Sequence, residues 1–299
     1  MTGGLLVFVA LAFGVQHILD QSAPLRLGPV SALLFAAVPA GLWLGYFHSQ
    51  DRHEPEPKHH LLGAYVLGAF VAGPASSFLI ELAGGATDTG LRLQTLSLDR
   101  WIYALAIVGI AQEGCKYVVI RYTLYLSPEF DEPLDGIIYM SATGIGFASY
   151  LTYTHLLAGG GEIYLSAGAA QAVVTMLAHA SFAGILGYAM GHAKFARQGP
   201  FGRGTRLATG LVAAAACSGC FRVIMDALSV DGMASSPWRR VAFSFGFAAG
   251  IFILTSVLMR HLLEISPHRN AEEADEADEA DEPKEADEAD EADEADEAD

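Results

Sequence analysis

The sequence predicts an all-α protein, a polytopic transmembrane helical bundle of about eight spans that ends in a disordered acidic tail. Three observations carry that prediction. Of the 299 residues, 52% are hydrophobic and the mean hydropathy is +0.34, which excludes a large soluble core once the apolar residues are seen to fall in long uninterrupted runs. Short connections rich in Gly, Pro and charge separate those runs. The formal net charge of −17 belongs to one end: Glu272 to Asp299 holds 18 acids and one Lys, leaving 16 acids and 16 bases elsewhere. The acidity therefore says nothing about what the membrane body binds. The division that follows is a membrane domain over residues 1–266 and a low-complexity tail over 267–299.

In chain order, the first apolar run, Leu5 to Ile18, has no basic segment before it and no clear cleavage site after it. It reads as a retained helix, not a signal peptide. The second span is Val30 to Phe47. Ser49 to His60 carries Pro55 and Pro57, which cannot lie inside a helix, and its adjacent His59 and His60 lack ligand spacing on a defined element. That stretch reads as a solvated loop. Leu61 to Leu82 is a third span, kinked at Gly73-Pro74. Gly84 to Asp99 is a Gly/Thr-rich loop with room for one short amphipathic turn.

The fourth span runs from Trp101 to Leu126, long enough as a helix to cross a bilayer at about 1.5 Å per residue. Ser127 to Leu134 is a polar hinge, and Asp131, Glu132 and Asp135 fall where carboxylates favour the positive end of the next helix. The fifth span, Leu134 to Leu157, repeats small residues (Gly136, Ser141, Gly144, Gly146), the spacing that lets membrane helices approach closely. Gly159-Gly160-Gly161 ends it. A sixth span follows from Ile163 to Met190, then a basic loop with Lys194, Arg197, Arg203 and Arg206. Leu207 to Leu228 and Val241 to Leu263 complete the count. Nine Lys and Arg collect on one side of this topology and five on the other, which puts both termini in the cytoplasm.

Cys115, Cys217 and Cys220 all lie in apolar runs, where a thiol behaves as a small hydrophobe. The C-x-x-C pair lacks a thioredoxin-like context, and no disulfide framework is implied. The tail repeats Glu-Ala-Asp every three residues and has only Ala to bury, so it reads as a charged, solvating chain. The alternative for it is a binding site for basic partners or divalent cations.

Chemistry concentrates in the polar residues at membrane depth. Glu113 and Lys116 sit three apart on one helix face near the middle of the fourth span. An ionisable group there costs about 2.5–3.5 kcal/mol to insert, so such groups face the bundle interior and either pair or react. The structural alternative is a Glu–Lys pair that only ties helices together. Gln112, His155, Gln171, His179, Arg222 and Asp226 lie at similar depth. The eight groups occupy four spans, and that predicts one shared polar centre. Arg222 and Asp226, four apart, can neutralise each other. His179 is set among small residues (Ala178, Ala180, Ser181), which leaves room for water or substrate.

Three stretches resemble the PrsW family of intramembrane proteases, itself distantly related to the CAAX-processing and bacteriocin-processing proteases. Asp51-Arg52-His53-Glu54-Pro55-Glu56-Pro57 is similar to its D-R-x-E-P-E-P loop, and Glu113…Lys116 to its E-E-x-x-K. Phe130-Asp131-Glu132-Pro133-Leu134-Asp135-Gly136-Ile137-Ile138-Tyr139, running into Gly144-Ile145-Gly146-Phe147-Ala148, resembles F-x-E-P-x-D-G-I-x-Y…G-x-G-F-A. His179, before Gly187-Tyr188-Ala189-Met190-Gly191, stands where the family has an intramembrane His. The resemblance covers residues 42–228. Three positions depart from the pattern: Gln112 replaces the first of two adjacent acids, Leu151 replaces a Glu, and Arg222 replaces a His four before Asp226.

The resemblance implies an intramembrane protease of the cell membrane that cuts membrane-anchored proteins such as an anti-sigma factor. Its expected partners are the lipid bilayer and that substrate, with no nucleic acid. Hydrolysis needs a base for water and a donor for the oxyanion. Glu113 beside Lys116 suits the base, His179 the donor or proton shuttle, and Asp226 the residue that orients His179. Zinc would need about three ligands, which Glu113, His179 and Asp226 could supply, but Arg222 would set a positive charge beside the ion. A mechanism without a cofactor is therefore favoured, with zinc the alternative. The competing reading is a catalytically inactive relative that binds or scaffolds membrane partners, because a polar site works poorly when partly dismantled. A transporter reading lacks an inverted repeat to support it.

Overall fold

A computed structural model describes residues 2–19, 25–50, 57–84, 97–158, 162–195, 199–230 and 237–264. The Asp51–Glu56 stretch, most of the Gly84–Asp99 loop, the triple glycine, Arg197 and the acidic tail lie outside them. The described residues are helical apart from short connections and one two-residue antiparallel pairing, Leu25–Arg26 (β1) with Glu162–Ile163 (β2). The helices are α1 (Thr2–Ile18), α2 (Pro29–His48), α3 (Lys58–Leu67), α4 (Gly73–Leu82), α5 (Leu98–Ile102), α6 (Ile110–Tyr122), α7 (Asp135–Ala158), α8 (Leu165–Phe195), α9 (Pro200–Val230) and α10 (Pro237–Glu264). A π-helical turn, Gly68–Ala72, joins α3 to α4 in one rod, and another, Tyr103–Gly109, joins α5 to α6. Six rods are long and apolar enough to cross a membrane by length and composition: Pro29–His48, Lys58–Leu82, Leu98–Leu126, Leu165–Phe195, Pro200–Ala227 and Trp238–Leu263.

Several boundaries differ from expectation for identifiable reasons. A π turn, Gly68–Ala72, stands directly before Gly73-Pro74, where the sequence predicted a kink; Pro74 has no N–H to give and sits in the first turn of α4, where that N–H has no intrahelical partner. The basic loop largely disappears. Lys194 is in the last turn of α8, and Arg203 and Arg206 are in α9. Apolarity marks where lipid ends, but helical hydrogen bonding continues past it, and Arg and Lys are good helix formers. Leu98 and Asp99 likewise belong to a helix, and Gly84, at φ 94°, closes α4. Ile163 is strand, not helix, so α8 starts two residues later.

The centre of the bundle is α8, 83% of whose most apolar window is buried, against 17–39% for the other five apolar rods. Its partner is α7, where the small residues have the role their spacing predicted. A side chain at Gly144 would run into the carbonyl of His179, and one at Gly136 or Gly187 would run into the other's backbone. With the two backbones this close, Ser141 Oγ donates to Ala180 O across the seam at 3.1 Å. On the far side of α8, Thr255 Oγ1 of α10 donates to Ser181 O at 3.1 Å. α1 reaches the same helix at its start: Gln16 Oε1 accepts from Ser166 N at 3.0 Å and Ser166 Oγ at 2.6 Å, satisfying a first-turn amide that has no partner within its own helix.

The seam predicts a stability effect. Gly144→Val should force α7 away from the His179 backbone and cost several kcal/mol, in the overpacking range or above it. Gly114→Ala, where nothing lies within 4 Å of the added methyl group, should cost little. Unfolding of both purified variants by SDS titration in mixed micelles checks the contrast.

Candidate active site

The buried end of the site is built on α6. Lys116 Nζ donates to Glu113 Oε1 at 2.7 Å, and both side chains are wholly excluded from solvent. The ammonium also lies 4.6 Å from the centroid of the Phe147 ring on α7, a cation–π contact. Glu113 Oε2 has no hydrogen-bond partner among the described residues. The π turn just before α6 sets which face of the rod Glu113 occupies, since each π step shifts the residues that follow around the helix axis. Gly109 and Gly219 then let this rod lie against α9, because a side chain at either would meet a carbonyl of the other helix.

His179 comes from the middle of α8. Its ring centroid is 5.1 Å from that of Phe147, 5.6 Å from Phe182 and 6.1 Å from Phe221. Lys116 and His179 thus meet on a shared aromatic neighbour, Phe147. The imidazole is 3% exposed, and its Nδ1 has no hydrogen-bond partner among the described residues.

A cavity of about 630 Å³ opens beside this ring, between α7, α8, α9, the start of α10 and α6. Six of the eight polar groups picked out at membrane depth line it: Gln112, His155, Gln171, His179, Arg222 and Asp226. Glu113 and Lys116 do not. They lie behind Gln112, whose Oε1 accepts from Ser218 Oγ at 2.7 Å and closes the wall in front of them. All three positions that depart from the family pattern, Gln112, Leu151 and Arg222, line this one cavity.

Asp226 is on the wall, but it is not oriented toward His179 by any hydrogen bond among the described residues. Its Oδ2 accepts from Arg222 Nε at 2.9 Å and forms an ion pair with Arg100 Nη2 at 3.1 Å. The neutralisation expected within α9 is present, with a second arginine added. Sequence reading missed Ser218, Phe147, Arg100 and Arg240 as members of the site. Ser218 had a signal, since it continues the Arg222–Asp226 stripe one turn back on α9. Phe147 stood inside a quoted motif. Arg100 and Arg240 had none, being visible only as charges at span ends. Cys115, Cys217 and Cys220 are free thiols, each half-buried.

A profile described as "PrsW family intramembrane metalloprotease" matches residues 56–234. The chain is 30% identical to Protease PrsW of Geobacillus kaustophilus over 166 residues, covering 55% of this chain and 68% of that one. It is 29% identical to Protease PrsW of Clostridioides difficile over 162 residues, 54% of this chain and 66% of the relative. Against Protease PrsW of Bacillus subtilis it is 25% identical over 201 residues, 66% and 85%. No solved structure matches the chain.

The word metalloprotease sets a test for the donors present. Among the described residues no three His, Cys, Asp or Glu side chains converge as a metal-ligand set. The set that the sequence offered to zinc, Glu113, His179 and Asp226, does not converge among the described residues. Glu113 is bonded to Lys116 behind the cavity wall, and the Asp226 oxygen is committed to two guanidinium groups. As arranged, these donors do not fit three-ligand zinc.

The buried pair predicts strong coupling. Lys116→Met leaves Glu113 with no counter-charge in a closed interior and should destabilise the fold by about 3–5 kcal/mol. Glu113→Gln combined with Lys116→Met should recover most of that loss. A double-mutant cycle by SDS titration measures it, and additive losses would show that the two groups are uncoupled.

Proposed function

Because this chain belongs to the PrsW family, we propose that it is an intramembrane protease whose site is the Glu113–His179 region at the base of the cavity. The chain is a multi-pass membrane protein, carrying six rods of spanning length and apolarity. We read all eight rods as spans. α1 is short, and α7 is polar for a span because its neighbours enclose it almost completely. Both termini are assigned to the cytoplasm from the Lys and Arg balance, residues 1–266 to the membrane domain and 267–299 to a solvating tail. The proposed substrate is a membrane-anchored protein such as an anti-sigma factor, cut in the cell membrane.

The observation that carries the reading is the position of His179. Among the described residues it is the one imidazole that touches both the cavity and Phe147, the ring on which Lys116 rests. In the proposed chemistry, Glu113 takes a proton from water through its unpartnered Oε2. Lys116 holds the carboxylate through Oε1 and balances its charge, so the base stays fixed as water attacks the peptide carbonyl. His179 donates to the oxyanion as it forms, or passes the proton to the leaving amine. Asp226 acts at a distance, as the group that holds Arg222 and Arg100 in place on the wall. Water reaches Glu113 by way of the Gln112–Ser218 hydrogen bond, which must open.

A second reading is favoured by one observation. Each of the three residues replaced relative to the family pattern faces the cavity, which is the arrangement of a site that has kept its shape and lost its chemistry. In that reading the protein binds or scaffolds membrane partners without cutting them.

Reconstitution with candidate single-pass substrates separates the two. The protease reading expects cleavage by wild type and a loss of about 10²-fold or more in Glu113→Ala and in His179→Ala, the scale of general acid–base assistance. Cleavage that persists in both variants overturns the residue assignment. Capture of a substrate with no cleavage by wild type, with or without added Zn²⁺, supports the scaffold.

A further inference from the structure

We infer that the open end of the cavity is a carboxylate-binding subsite, and that it selects a substrate segment bearing an Asp or Glu a few residues from the bond to be cut. The second half rests on the protease reading above.

Three rods bring one arginine each to this end: Arg100 from α5, Arg222 from α9 and Arg240 from α10. Among the described residues, Asp226 answers two of them. Asp226 Oδ2 accepts from Arg222 at 2.9 Å and pairs ionically with Arg100 at 3.1 Å, and Arg240 stands on the same cavity wall with His155. Arginine stays charged in proteins, and Arg240 has no ion pair among the described residues. Two of their donors make the imbalance concrete. Arg100 Nη1 and Arg240 Nε are closed off from solvent and have no hydrogen-bond partner among the described residues. Donors of this kind, on planar guanidinium forks, match the two oxygens of a carboxylate in geometry and in charge. Low-dielectric walls raise the attraction above its value in water.

The location argues for a peptide carboxylate over a lipid phosphate. Arg222 and Arg240 line the cavity that also holds His179. Phe221, next to Arg222, packs on the His179 ring at 6.1 Å. From Phe221 to Asp226 the axis of α9 rises about 7.5 Å. An extended peptide covers that distance in about two or three residues at roughly 3.3 Å each. A segment lying along the cavity with its reacting bond at His179 therefore carries its acidic residue about two or three positions away, toward the end where α10 begins.

The test uses binding, so that it does not depend on catalysis. The full-length protein, as wild type and as Glu113→Gln, is placed in nanodiscs of phosphatidylcholine. Fluorescent single-span peptides that differ only by Glu or Gln at the flanking position are titrated against it. The Glu peptide is expected to bind about tenfold more tightly in both backgrounds, the scale of one charge-assisted hydrogen-bonded pair. Arg240→Gln should remove that preference and leave the affinity of the Gln peptide unchanged, while Arg240→Lys should keep part of it. Equal affinities of the two peptides for wild type overturn the subsite, and that comparison needs no variant to fold. If phosphatidylglycerol in the disc erases the preference while free inorganic phosphate does not, the site belongs to a lipid headgroup and the inference fails. A Glu preference without cleavage by any form keeps the subsite and removes the hydrolase reading. Cleavage with no such preference does the reverse.

Discussion

A carboxylate and an ammonium with no exposure to solvent dictate the arrangement of everything near them. Glu113 and Lys116 are tolerated in the bundle interior because each is the other's partner at 2.7 Å and because Phe147 presents its ring to the ammonium. To enclose such a pair, helices must approach from several sides without side chains that would hold them apart. The seams around it accordingly use glycine at the points of closest approach, α7 against α8 and the α6 rod against α9. The same tight packing fixes the backbone of His179, whose carbonyl lies against Gly144. The ion pair and the imidazole are thus positioned by one set of backbone contacts, and the cavity is the space left where that packing stops.

The electrostatics divide the site in two. At the closed end a single pair is balanced within one helix, and the aromatic rings of Phe147, Phe182 and Phe221 keep the imidazole among apolar neighbours. At the open end arginines from three rods gather about one aspartate. Between them stands the Gln112–Ser218 hydrogen bond, a neutral partition made by the residue that replaces an acid in the family pattern. A second carboxylate at that position would have set two negative charges side by side in front of one lysine; the amide accepts from a serine instead and leaves Lys116 committed to Glu113. The replacement changes the charge of the wall while its hydrogen bond keeps the wall closed.

Much of this was legible in the residues. Uninterrupted apolar runs give helical rods because lipid offers the backbone no other partner. Small residues in the fifth run gave the α7–α8 seam, and the cost of each polar group at depth gave a shared polar centre, which the cavity lined by six of them embodies. What escaped was long-range or sub-turn in scale. The Arg100–Asp226 bond joins residues far apart in the chain, and neither had a local reason to find the other. The π turn before α6 has no strong residue signature, yet it decides that Gln112 faces the cavity and Glu113 does not. Helix ends were misread wherever charge was taken to mean loop, as at Arg203 and Arg206 in α9.

The bond between Gln16 and Ser166 carries a consequence for biosynthesis. Its two ends are 150 residues apart, and at roughly 5–20 residues per second the ribosome needs about eight to thirty seconds to make the second after the first. Until then the Gln16 side chain has no Ser166 to bond. The first helix can therefore make this contact only once the start of α8 has been synthesised, so the order of contacts differs from the order of synthesis.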